Sequence, residues 1–270
     1  MTSQWMGSRD YLHETVLSKI ANLPQKTDKM FVRLSDGRID YVANQQNPMT
    51  PWIFIKTCPH RHCQLWNGVY FSIFNLIPSF CRFCCWKVVI KPKTVESLFT
   101  LYDFLCHLNV NSKCGIDHRP TTEGPYAGFI YNDSLQLGRE MYERVLLEMQ
   151  DWFNLATFPD VFLKRGCTEM EMSLPSDCWD TVNKDQIELE QKLDEVFVKR
   201  EDCGVQSDWL IQYKKSEFIR HAIEIGDKTW RRLVNDPSRY IPHTVHYETD
   251  ENFKKTMSEN GSEQALDQKM

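Results

Sequence analysis

The sequence predicts an α+β protein built on a βαββαβ core. Three observations carry this expectation. Residues 86–170 read in order as strand, helix, strand, strand, helix, strand. Most strand segments are short apolar runs, and apolar positions recur every three to four residues in the helical ones. Capping and breaking residues separate the segments.

Taken in order, Trp86–Lys91 is a strand closed by Pro92. Thr94 is a helix N-cap, and Val95, Leu98, Phe99, Leu101, Phe104 and Leu105 fit one helical face up to about Leu108. Lys113–Arg119 is a second strand, residues 120–125 a turn-rich loop, and Tyr126–Tyr131 a third strand. Asp133 or Ser134 caps a long helix to about Phe153, and Asp160–Lys164 is the fourth strand. This order is the ferredoxin-like arrangement, with both helices expected on one face of an antiparallel sheet.

The flanking regions complete five segments. Residues 1–57 contain an amphipathic helix over about Tyr11–Leu23, stopped by Pro24, then a hairpin across Met30–Val42 with its turn at Asp36-Gly37. Trp52–Lys56 is a short strand. Residues 58–85 are a cysteine-rich segment, and 86–170 the core. Residues 171–247 form a helical extension with helices over Lys184–Lys199 and Asp208–Leu233, the latter marked by a break at Gly226. Residues 248–270 are polar and charged and are expected to be disordered.

Composition excludes some classes. The 270 residues carry a net charge of −5, so bulk electrostatics do not make the molecule a polyanion binder. Apolar residues at 41% suffice for a core. Met1–Asp10 lacks a charged start followed by an apolar run, which predicts an intracellular, cytoplasmic protein. The apolar stretch Leu65–Phe80 is interrupted by Asn67, Gly68, Ser72, Asn75 and Pro78, so it is expected to pack as a buried loop and helix, with no membrane partner.

Five of the ten cysteines crowd into the 28 residues from Cys58 to Cys85. Cys58-Pro-His-Arg-His-Cys63 is a C-x4-C group, and Cys81-Arg-Phe-Cys84-Cys85 a C-x2-C group with an extra thiol. Two tight cysteine turns joined by a loop can face each other and form a tetrahedral thiolate site. Cys58, Cys63, Cys81 and Cys84 are the expected ligands, with His60, His62 or Cys85 as substitutes. Zn²⁺ is the expected occupant and an iron–sulfur cluster the competing one.

Two further groups carry weaker signals. Gly124–Tyr131 loosely follows the aromatic pattern of RNA-recognition strands through Tyr126, Phe129 and Tyr131, and Arg82, Lys87, Lys91 and Lys93 supply nearby cations. Its spacing departs from that pattern and no basic residue leads it. Asp117, His118 and Arg119 are adjacent and alternate between faces, so they are read as an edge strand with a solvated Asp–Arg face. His221 is read as a surface residue of an amphipathic helix, and Cys106, Cys167, Cys178 and Cys203 as structural.

The resulting expectation is a zinc-stabilised binding or adaptor module, more a binding protein than an enzyme, with a protein or nucleic-acid partner. Nucleic-acid binding through the metal turns and their basic neighbours is the first alternative. An iron–sulfur redox or radical-type enzyme is the second.

Overall fold

The computed structural model describes residues 30–33, 36, 38–42, 50–56, 66–71, 76–119, 122–173, 184–198 and 206–235. The chain divides into two compact units, Met1–Trp230 and Arg231–Met270, and nearly all described residues belong to the first. The expected N-terminal helix and the 248–270 tail lie outside the described residues.

The first unit is a mixed α/β body around a five-stranded antiparallel sheet. A separate hairpin pairs β1 (Met30–Arg33) with β2 (Ile39–Val42), ending at the register Arg33↔Ile39. Asp36 accepts hydrogen bonds from the Arg38 amide (3.0 Å) and Nε (2.7 Å), which holds the turn. The main sheet contains β3 (Trp52–Lys56), β4 (Trp86–Lys91), β5 (Ser112–Ile116), β6 (Tyr126–Asn132) and β7 (Asp160–Arg165). Its order is β3-β5-β6-β4-β7, with every neighbouring pair antiparallel. A short helix, α1 (Ser79–Phe83), leads into β4. Between β4 and β5 runs α2 (Val95–Leu108), and between β6 and β7 runs α3 (Leu135–Glu148).

Register and packing put both helices on one sheet face. Val88 opposes Ile130 and Ile90 opposes Gly128, so these side chains share a face. A Cβ on Gly128 would lie 2.7 Å from Leu101 Cδ2 of α2, and one on Gly138 of α3 would lie 3.0 Å from Leu163 and 3.2 Å from Trp86. The glycines thus permit close helix–sheet approach. Leu98, Leu101, Phe104 and Leu105 of α2 are buried against this face, each contributing about 1.5–3 kcal/mol. Thr94 Oγ1 accepts from the Ser97 amide at 3.1 Å, and Asn109 ends α2 in the left-handed conformation with φ 49°. Ser134 takes the cap of α3, which passes at its end into one 3₁₀ turn, Met149–Asp151.

β3 is an edge strand, yet its outer hydrogen-bonding groups are not left to solvent. The Gln206 carboxamide accepts from the Phe54 amide (2.9 Å) and donates to the Trp52 carbonyl (3.2 Å), standing where another strand would pair. The inner side of β3 is equally tight. A Cβ on Gly115 would lie 1.9 Å from the Pro51 carbonyl oxygen, which also accepts from the Ile116 amide at 3.2 Å. Gly115→Ala is therefore expected to push β3 from β5 and destabilise the protein by about 2–3 kcal/mol, an overpacking cost. Urea unfolding checks this; an unchanged midpoint would show that the strands separate without cost.

After β7 come α4 (Thr168–Ser173), α5 (Lys184–Val196) and α6 (Asp208–Glu224). α6 ends at the break the sequence places at Gly226, which takes φ 79°, and a separate 3₁₀ turn, Lys228–Arg232, carries the rest of the expected helical stretch. Asp227 in that break reaches back to the core. Its Oδ2 accepts from the Val95 amide at the start of α2 (2.6 Å) and from the Tyr126 hydroxyl (3.2 Å). α6 also sends Lys214 into the protein, where its ammonium donates to the Thr50 carbonyl and burial lowers its pKa to about 8. No helix among the described residues is long and apolar enough to cross a membrane.

Candidate metal centre

The second cysteine group sits at the joint between α1 and β4. Cys81 lies inside α1, Cys84 follows it directly, and Cys85 precedes the first residue of β4. Cys81 and Cys85 are buried in one cluster with Ile77 and Met170, against which Phe71, Phe80 and Cys167 pack. Cys84 is exposed. The first group, Cys58 and Cys63 with His60 and His62, lies outside the described residues. Among the described residues no three His, Cys, Asp or Glu side chains gather as a metal site would require.

A buried polar network fixes this joint. Glu190 of α5 accepts from the Ser79 amide (2.9 Å), the Tyr70 hydroxyl (3.0 Å) and Gln186 Nε2 (2.9 Å), and also from the Ser79 hydroxyl. It thereby caps α1 from another helix. Gln186 Nε2 (2.8 Å) and Arg82 Nε (3.0 Å) both donate to the Ile77 carbonyl. Burial, reinforced by the neighbouring Glu190 charge, pushes the Tyr70 hydroxyl far above its usual pKa.

The turn after β7 closes on the same joint. The Gly166 amide donates to the Cys85 carbonyl at 2.7 Å, extending the β4–β7 pairing by one residue. Lys87 Nζ donates to the Gly166 carbonyl (2.7 Å) and lies 3.3 Å from Cys167 Sγ. Cys167 is thus brought beside Cys81 and Cys85, which the sequence reading missed. Chain separation hides it, and only the β4–β7 register could have revealed it.

The expected basic stretch divides. Arg82 and Lys87 are buried in the contacts just described. Lys91 lies 3.6 Å from Asp117, while Lys93 is exposed and lies 3.7 Å from Asp160. Of the three aromatic residues, Tyr126 faces the helices, with its hydroxyl on Asp227. Phe129 and Tyr131 share the opposite sheet face with Lys87 and Val89. There Trp52 meets Phe129 edge-on at 5.4 Å, and Lys113 lies over the Trp52 ring (4.4 Å) and the Phe129 ring (5.4 Å). Phe129 retains 7% exposure, so its face is already occupied within the chain.

Two expectations are corrected. Asp117 does not stand on a solvated edge. β5 lies between β3 and β6, and the Asp117 side chain keeps 1% exposure. Its carboxylate accepts from Arg119 Nε and Nη2, both at 2.8 Å. Burial alone would raise its pKa, but the Arg119 hydrogen bonds and charge, aided by Lys91, hold it below the usual carboxylate value. Nor is His221 a solvated surface residue. Its Nε2 is buried, and its ring meets those of His118 and Tyr126.

Comparison with known proteins returned no matching family model, curated relative or solved structure.

Proposed function

We propose that this protein is a binding or adaptor module whose ferredoxin-like core is stapled by a structural metal, with Zn²⁺ as the occupant. The observation that carries the reading is the position of the second cysteine group. Cys81 and Cys85 sit in an apolar cluster at the entry to the first core strand, on a joint held by Glu190 and Gly166. A thiolate-bound ion there would clamp the 58–85 segment to the sheet, adding binding free energy to folding. Sulfur donors suit zinc or iron more than hard cations. The strand order β5-β6-β4-β7, with α2 and α3 on one face, supports the ferredoxin-like reading. Exposed Trp209 stacked on Tyr213 at 5.7 Å, and exposed Leu147, support a role in contacting a partner.

The ligand set in this proposal is Cys58, Cys63, Cys81 and Cys84. The burial of Cys85 beside Cys81 strengthens its standing as the substitute for exposed Cys84. Metal analysis and optical spectra of full-length protein purified without oxygen test the reading. Colourless protein with one equivalent of zinc, lost together with thermal stability in Cys81→Ser, is expected. Metal-free but stably folded wild type would remove the staple, and a coloured iron-containing protein would favour the iron–sulfur alternative.

A second reading, single-stranded nucleic-acid binding, is supported by Trp52, Phe129, Tyr131, Lys87 and Lys113 sharing one sheet face. It ranks below the first because Phe129 is covered and Lys87 is bonded within the fold. Filter binding across a salt series decides it, and absence of binding at low salt would remove it.

A further inference from the structure

We propose that the contact between His118 and His221 is an acid-sensitive latch holding the C-terminal end of α6 against the exit of β5. His118 lies two residues beyond β5, and His221 is in the last turn of α6. Their ring centroids are 5.3 Å apart with planes at 82°, and the His221 ring also meets Tyr126 at 6.1 Å and 88°. His221 Nε2 is buried and has no hydrogen-bond partner.

A neutral imidazole tolerates this setting, because aromatic edges and faces surround it. A charged one does not, since the added N–H⁺ finds no acceptor and a second imidazolium would stand beside it. The charged and titratable groups facing His221 are Arg220 and Glu224 on its own helix, His118 at the β5 exit and Tyr126 on β6. Glu224 favours the proton, but it also lies 3.8 Å from Arg220, which opposes it. The neighbouring carboxylates are engaged elsewhere: Asp227 by Val95, Tyr126 and Thr229, and Asp117 by Arg119.

Burial, then the His118 charge, holds His221 below the ordinary histidine value of 6.5. The sign follows from proton linkage. Above 6.5 neither the folded nor the unfolded chain binds the extra proton, and the contact is intact. As pH falls from 6.5 through the lower folded value, the unfolded or opened form binds more protons and is favoured. Opening would be local, because Gln206 and Lys214 hold the other half of α6 to β3 and its lead-in. It would extend to α2, since the chain leaving α6 carries Asp227, the residue that receives the Val95 amide.

Hydrogen–deuterium exchange of the full chain at about pH 7 and about pH 5, corrected for intrinsic exchange, tests the latch. Peptides covering 217–230 and the first turn of α2 should exchange severalfold faster at the lower pH, while α3 stays unchanged. His118→Gln should weaken the acid response by removing the neighbouring charge, and His221→Phe should abolish it. His118 is an exposed side chain, so His118→Gln carries the comparison if the second variant does not fold. Equal acid responses in wild type and His118→Gln, or no response in wild type, would overturn the proposal.

Discussion

Glu190→Ala is expected to destabilise the protein by about 3 kcal/mol, because it strands several buried donors at once. The carboxylate caps α1 through the Ser79 amide, receives the Tyr70 hydroxyl and orients Gln186. Tyr70 and Gln186 are buried and cannot turn to water, while Ser79 is half-buried. Tyr70→Phe, which removes one donor and leaves the acceptor served by the others, should cost only about 1 kcal/mol. Urea denaturation with an unchanged m-value is the measurement. The same variant should speed alkylation of Cys81, because α1 loses its cap. A Glu190→Ala protein as stable as wild type would mean that the network is dispensable for the joint.

Asp117→Ala should cost at least as much, about 3–5 kcal/mol, since it leaves Lys91 and Arg119 without the buried charge they share. Arg119 is partly exposed and recovers some hydration, which places the effect toward the lower end of that range. The pH dependence has a defined sign. The folded Asp117 pKa lies below the usual carboxylate value, so its stabilisation is present above about 3.9 and is lost as pH falls through the lower folded value. This window is separate from that of His221, which opens just below 6.5. Thermal unfolding of wild type, Asp117→Ala and His118→Gln between about pH 3 and 7 should divide the acid sensitivity into these two ranges. A single shared transition in all three proteins would contradict it.

The strands and core helices were legible because their signals are local. Pro92 closes β4, Thr94 opens α2, and Val88 and Ile90 fall on one face without reference to distant residues. Part of the site is legible locally too. Tyr126 and Phe129 are three positions apart, so strand alternation already puts them on opposite faces. Other features could not be read locally. Arg82, Lys87 and Asp117 look like surface residues in any short window. Lys87 is buried by partners about eighty residues downstream, and Arg82 is held beside a network supplied by α5. β5 is an inner strand because β3 adds to the sheet outside it, a pairing that crosses the whole cysteine-rich segment, and Asp117 lies just beyond that strand.

The carboxamide of Gln206 gives the sheet a finite width. At the β7 edge, exposed Asp160 and half-buried Lys164 and Arg165 place charge that discourages a foreign strand. At the β3 edge, among the described residues, the pairing groups are filled by one neutral side chain just ahead of α6, which depends on that helix being docked. Excursions that release the N-terminal end of α6 would uncover Trp52 to Lys56, an aromatic-rich strand with unpaired backbone groups. The resistance of this protein to templated self-association is therefore set by the lifetime of a helix–edge contact, and the stability of the sheet itself does not measure it.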